Sequence, residues 1–204
     1  MKIFFTADYH LNHADIIRYC DRPFIKKGDL NDDNDWKSQN IKSRRLDEMN
    51  NTIIDNHNSK VGKDDIVYHV GDFCFKKGFN ATDWESQLNG KIIHIKGNHD
   101  KNNGVKTYIK YALMEFGGLT FYVVHKPPED KQVDTLESHI ISMCDFILCG
   151  HVHNLWKYKW IEVWNKSHKI KKLAINVGVD VWGFEPITIN TILKLIAKIN
   201  KGLK

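Results

Sequence analysis

Cysteine is scarce in this chain and poorly spaced for chemistry. The 204 residues include four, Cys20, Cys74, Cys144 and Cys149, and no two of them form a C-x-x-C pair. That excludes a zinc knuckle or a disulfide framework and predicts a reducing, cytoplasmic setting. Long hydrophobic runs are also missing. No stretch approaches the roughly 20 apolar residues of a membrane span, so no membrane partner is expected. The run Met1-Lys2-Ile3-Phe4-Phe5 is too short for a signal sequence and is stopped by Asp8. Repeats and low-complexity linkers are absent, which predicts one domain over residues 1–204, long enough for a full core. Charge of one sign is not strongly dominant. Lys and Arg number 30 against 25 Asp and Glu, for a net +5, with part of the excess in the tail 194–204. Such a balance permits an anionic substrate without demanding nucleic acid.

What the chain does have is metal-ligand side chains, each placed just after a run that reads as a strand. Ile3-Phe4-Phe5-Thr6-Ala7 leads into Asp8-Tyr9-His10, and Ile66-Val67-Tyr68-His69-Val70 into Gly71-Asp72. Ile92-Ile93-His94-Ile95-Lys96 leads into Gly97-Asn98-His99-Asp100. Phe121-Tyr122-Val123-Val124 ends in His125, and Phe146-Ile147-Leu148-Cys149 leads into Gly150-His151-Val152-His153. Residues at the carboxyl ends of strands converge on one rim of a sheet, where open α/β sheets bind ligands. Any one Asp or His there could be a turn cap, but the repeated placement predicts a metal site. Carboxylate, imidazole and amide donors suit Mn, Fe, Zn or Ni. The set is too large for one tetrahedral ion and suits two ions sharing a carboxylate.

Strand and helix signals alternate along the chain, which predicts an α/β fold. Helices are expected over 13–19, 35–57, 82–88 (with Asn80 as its cap), 134–143 and 191–200. Residues 156–170 read as a β-hairpin turning at Asn165-Lys166-Ser167-His168, followed by strands at 173–177 and 187–190.

Asp8-x-His10, Gly71-Asp72, Gly97-Asn98-His99-Asp100, His125 and Gly150-His151-x-His153 resemble, in order, the five motifs of the calcineurin-like metallophosphoesterases. The segments 16–24 and 176–180 further resemble small bacterial and phage members. The resemblance implies a β-sandwich of two mixed sheets flanked by helices. It implies two divalent metal ions, with Mn favoured and Fe, Zn or Ni also fitting. One ion would take Asp8, His10, Asp72 and His153; the other would take Asp72, Asn98, His125 and His151. Asp72 is then the bridge, and His99 the catalytic histidine facing the substrate. The implied chemistry is in-line attack on phosphorus by a metal-bridging hydroxide, with His99 assisting the leaving oxygen.

The run Gly71-Asp72-Phe73-Cys74-Phe75-Lys76 lacks the arginine of the protein-phosphatase branch, and Asp100 stands where that branch usually has Glu. A phosphodiester or nucleotide-type substrate is therefore expected, with nucleic acid among the open classes and no protein partner indicated. The rivals are a phosphomonoesterase on a small metabolite and a non-catalytic binding module of the same fold. Arg18 and Arg22 are candidate phosphate clamps, since guanidinium forks match phosphate oxygens, and His13 is a candidate substrate contact. Asp29-x-Asn31-x-Asp33 lacks the glycine and glutamate of a calcium loop and reads as a capped loop. Trp156, Tyr158 and Trp160 could stack bases, but a buried aromatic strand face with solvated lysines is the expected reading. Cys74 and Cys149 read as small core residues.

Overall fold

The computed structural model describes every residue except 76, 77, 102, 130–134, 166, 167, 203 and 204. Strands are numbered in chain order. One sheet holds β1 (Ile3–Thr6), β2 (Ile66–Val70), β3 (Lys91–Ile95) and the two-residue β9 (Ile187–Thr188), in the order β3-β2-β1-β9. Its first three strands run parallel, and β9 pairs antiparallel with β1. The other holds β4 (Tyr111–Phe116), β5 (Leu119–Val124), β6 (Phe146–Cys149), β7 (Tyr158–Asn165) and β8 (His168–Asn176), in the order β4-β5-β6-β8-β7. Here β5, β6 and β8 are parallel, with antiparallel strands at both edges. Two mixed sheets flanked by helices are what the sequence led us to expect.

Period-2 alternation decides which side chains meet between the sheets. Phe5, Val70 and Ile95 point from the first sheet at Phe121, Val123, Leu148, Leu173 and Ile175 of the second, all buried. The intervening residues face outward. Tyr122, Ile147 and Ala174 pack with Ile141 of α4 (Thr135–Met143), and Phe4 and Val67 pack with Val61. Beyond the rim of the first sheet, α2 (Gln39–Lys60) buries Met49 and Ile53 against Tyr9, Leu11 and Phe73. The short α1 (Ile16–Tyr19) and α3 (Ala81–Glu85) complete that layer through Ile16, Ile17 and Trp84. The closing helix α5 (Ile189–Gly202) inserts Ile192 and Ile196 into the inter-sheet core.

Several expected boundaries shift for local reasons. The long helix starts at 39, not 35, because Ser38 is extended and its hydroxyl accepts the Ile41 N–H at 3.3 Å. Leu30 and Trp36 pair across the preceding turn. The first helix shrinks to one turn, since His13 N–H already bonds back to the His10 carbonyl. The capped helix at Asn80 is present, with the Asp83 carboxylate accepting the Asn80 N–H at 2.7 Å. Asp134, expected to open the fourth helix, and Lys166-Ser167 of the expected hairpin turn lie outside the described residues. The expected strand at 173–177 is the second half of β8, which runs unbroken through Lys171 and Lys172. Lys172 keeps its place there by donating to the Ser142 and Cys144 carbonyls.

The expected buried aromatic face needs correction. Tyr158 and Trp160 are 46% and 40% exposed. They share the inner face of the second sheet, paired with Ile175 and Leu173, but β7 is an edge strand. The buried residues of β7 are Ile161 and Val163, which face outward toward α4. Asp29 accepts two hydrogen bonds from buried Arg45, at 2.6 and 3.2 Å, so the 29–33 loop is structural.

Phe5 is fully buried and stacks on Tyr68 at 5.4 Å between ring centroids. Phe5→Ala is expected to cost about 3–5 kcal/mol in urea unfolding, as for other buried aromatic truncations. Trp160→Ala should cost about 1 kcal/mol or less, since surface changes usually do.

Candidate metal centre

The expected ligands leave the strand ends in a conformation that side-chain-bearing residues rarely adopt. Asp8, His10, Asp72, His151 and His153 all have positive φ, at 58°, 49°, 57°, 69° and 47°. Only a few per cent of non-glycine residues do so, and such outliers persist where the surroundings over-determine them, typically at functional sites. Two glycines let the loops close. A Cβ on Gly97 would lie 2.2 Å from Asp72 Oδ1, and one on Gly150 would lie 2.6 Å from Asp8 Oδ2.

These loops bring two three-residue groups together. Asp8, His10 and His153 form one, and Asp72, His125 and His151 the other, with donor atoms within 4.8 Å of one another in each. Asp72 joins them, its Oδ2 lying 3.1 Å from His125 Nε2 and 3.6 Å from His10 Nε2. Asn98 Oδ1 is 3.0 Å from His125 Nε2. The His151 N–H donates to Asp8 Oδ2 at 2.9 Å, tying the groups at the backbone. All seven residues expected to hold metal therefore meet at one rim.

The chemistry of the pocket fits a pair of cations. Both ring nitrogens of His10 are buried with no hydrogen-bond partner among the described residues. Burial, then the Arg22 guanidinium, holds that ring well below the usual imidazole range, so it is neutral and offers a lone pair. Asp8 and Asp72 are 0% and 1% exposed, and their ion-pair partners among the described residues are histidines alone. Burial pushes Asp8 up to about 6. Burial also works against ionised Asp72, but the His125 hydrogen bond and charge together with His99 outweigh it and hold Asp72 below the usual range. His125 Nδ1 donates to the Val70 carbonyl at 2.8 Å, which leaves Nε2 facing Asp72 and Asn98.

Three residues that the sequence pattern left without a role support the ligands. Asp180 Oδ2 accepts from His153 Nδ1 at 3.1 Å, the kind of partner that orients a metal-binding imidazole. Asp100 accepts the Asp72, Gly97 and Phe73 N–H groups at 2.9, 2.8 and 3.1 Å and the Asn103 side chain at 2.8 Å. Its carboxylate thus clamps the Asp72 loop to the Asn98 loop. Asn176 is fully buried and donates to the His153 and Trp156 carbonyls at 2.8 and 2.9 Å. The motif-like run 176–180 was the available signal for Asn176 and Asp180.

The two expected clamps are placed elsewhere. The Arg22 side chain is fully buried, forking onto Asp180 at 2.8 and 3.1 Å and donating to the Asp8 and Tyr9 carbonyls. It supports the metal groups from behind and does not reach the rim. Arg18 is engaged by the Asn34 carbonyl, Asp15 and Asp35, bracing the 30–36 turn. His13 does lie beside the site, stacked on Phe75 at 3.9 Å and 5.6 Å from the His10 ring. His99 is exposed, its ring 5.6 Å from that of His10, and its N–H donates to Asp72 Oδ1 at 2.9 Å.

The family model for the calcineurin-like phosphoesterase superfamily domain matches residues 49–185, a span that includes Asp72, Asn98, His99, His125, His151 and His153. The chain belongs to that superfamily. An uncharacterized protein of Methanocaldococcus jannaschii is 33% identical over 201 residues, covering 97% of this chain and 92% of that one. A solved protein of unknown function from Aquifex aeolicus superposes with a TM-score of 0.62 at 22% identity, over 95% of this chain and 98% of that one. That likeness extends the shared fold to nearly the whole chain.

Metal-free protein should show the site in its pH dependence. Burial opposes the proton on His125, but Asp72 and Asp8 outweigh it and raise the ring from 6.5 to about 9. His153 is likewise raised to about 10, with Asp180, Cys20 and Asp8 together outweighing burial. Both raised histidines stabilise the fold fully below about pH 6.5, and that contribution is lost as pH climbs through the folded values. The Asp8 shift acts between 3.8 and about 6, outside this window. Metal ligation needs the same nitrogens unprotonated. The metal-free Tm is expected to fall from pH 6.5 to 9.5, while the increment produced by Mn²⁺ widens. A flat metal-free profile with a constant increment would contradict the assignment.

Proposed function

We propose that this chain is a single-domain, metal-dependent phosphoesterase that holds two divalent ions and hydrolyses a phosphodiester or nucleotide-type substrate. The observation that carries the reading is the position of Asp72, shared between two His/Asp groups, with the exposed His99 ring over the same rim. A complete ligand set speaks for catalysis over a binding-only role for the fold. The buried free cysteines support a reducing, cytoplasmic setting, and no helix among the described residues is long and apolar enough to cross a membrane.

Two divalent cations at such a site lower the pKa of a bound water and neutralise charge on the phosphoryl oxygens. Mn²⁺ suits the oxygen and nitrogen donors, as do Fe, Zn and Ni. The protein's own part is positional. Asp72 is fixed at both ends, by its N–H on Asp100 and by its Oδ1 accepting from His99. Asp8, His10 and His153 would hold one ion, and Asn98, His125 and His151 the other. Asn98 is neutral and adds no negative charge beside an anionic substrate. Among the described residues the His99 ring makes no hydrogen bond, which suits it to donate a proton to the departing oxygen. His13, beside His10, is a candidate contact for the substrate. With Arg22 buried and Arg18 bracing a turn, neither guanidinium forks a dianionic monoester at the rim, which supports a diester over a phosphoprotein.

Hydrolysis of bis(p-nitrophenyl) phosphate should exceed that of p-nitrophenyl phosphate under saturating Mn²⁺. His99→Ala should keep the metal yet lose about 10²–10⁴-fold in kcat, the usual contribution of a positioned acid. Asp72→Asn should instead weaken metal binding. A clear monoester preference would replace this reading with a small-metabolite phosphomonoesterase. Metal loss in His99→Ala, with unchanged turnover per bound ion, would remove His99 from its role.

A further inference from the structure

A cleft of about 370 Å³ opens beside the Asp72 group, lined by Lys96, Gly97, Asn98, Lys101, Lys110, Val124, His125 and Lys126. Its place follows from the topology. β3 and β4 are the edge strands of the two sheets. The Lys96 N–H donates to the Ile109 carbonyl at 2.8 Å, which joins the end of β3 to the approach to β4. β4 runs antiparallel to β5, with Tyr111 opposite Val124, so Lys110 sits at the same rim as His125. Four of the lining residues are lysines and none is a carboxylate. Lys101, Lys110 and Lys126 are exposed. Some lysines elsewhere on the surface are matched by carboxylates, as Lys42 is by Asp15 and Lys159 by Glu129. Here Lys96, Lys101 and Lys110 form no ion pair among the described residues.

A cluster of cations around a concave surface raises the local concentration of anions. This one is continuous with the metal rim, because Asn98 and His125 line both. We propose that the cleft is a subsite for a second phosphate group, so that the substrate is a small molecule with adjacent phosphates, such as a nucleoside diphosphate or its esters. The volume is at the scale of small-molecule pockets, which start at roughly 300 Å³, and is short for a strand of nucleic acid. The ammonium groups act as point charges on the second phosphate while the reacting phosphate lies over Asp72. The proposal rests on the phosphoesterase reading for the identity of the neighbouring site, but binding can be measured without turnover.

Equilibrium dialysis of labelled ADP and AMP against the Mn²⁺-loaded His99→Ala protein, slowed in turnover so that binding is read, tests it, alongside initial-rate inhibition of bis(p-nitrophenyl) phosphate hydrolysis by the same nucleotides in the unsubstituted protein. ADP is expected to bind about tenfold tighter than AMP, as charge-assisted contacts to one more phosphate allow. In Lys101→Gln/Lys110→Gln the gap should shrink to about threefold or less, with hydrolysis of the aryl diester kept within about twofold. Equal binding of ADP and AMP, or a gap indifferent to the two substitutions, overturns the subsite. So does a dT oligonucleotide that competes through these lysines where ADP does not. If the aryl diester is not hydrolysed but ADP is still preferred through Lys101 and Lys110, the catalytic reading fails and the subsite stands.

Discussion

Asp8 and Asp72 are two carboxylates buried side by side, with imidazoles as their only charged partners among the described residues. A buried charge without compensation is expensive, and among the described residues no lysine or arginine pairs with either carboxylate. Much of the rim follows from that constraint. Five of the ligand positions sit at positive φ. Gly97 and Gly150 allow backbone to approach the carboxylates more closely than any Cβ would permit. Asp100 turns one more buried carboxylate into a fastener, using it to gather three N–H groups from two loops. Divalent cations would resolve the imbalance, and the same ions would suit the rim to phosphate chemistry.

The positive charge is arranged in two layers around this centre. Arg22 lies behind, buried, where its fork orders Asp180 and through it His153. The lysines of the neighbouring cleft lie in front, at the meeting of β3 and β4. The rear cation orders candidate ligands, and the front cations face solvent. Confusing the two layers is easy from sequence, because an arginine three residues past the end of α1 looks equally fit for either.

The fold class and the convergence of the seven candidate ligands at one rim were legible because each candidate follows an apolar strand run, and strand ends of a sheet share a rim. Other features were not legible, for physical reasons that differ. The strand Tyr111–Phe116 was overlooked, although Gly117-Gly118 between two apolar runs is a strong hairpin signal and both glycines have positive φ. The start of α2 moved from 35 to 39 because Ser38 supplies the cap. Trp160 and Tyr158 alternate as buried residues do, yet strand position alone cannot reveal that β7 is an edge. Asp100 and Asp180 fell within motif-like runs yet drew no role, since the partners that reveal it, Phe73 for Asp100 and His153 and Arg22 for Asp180, lie 27 to 158 positions away. The lysine cleft draws on four separate segments and has no local signature at all.

The most direct test is the position of the ions themselves. Anomalous diffraction from crystals soaked in Mn²⁺ should show two peaks per chain, one in the Asp8, His10, His153 group and one in the Asp72, His125, His151 group. They should lie roughly 3.5–4 Å apart with Asp72 between them. A single peak, or two peaks that do not share Asp72, would contradict a dinuclear phosphoesterase centre.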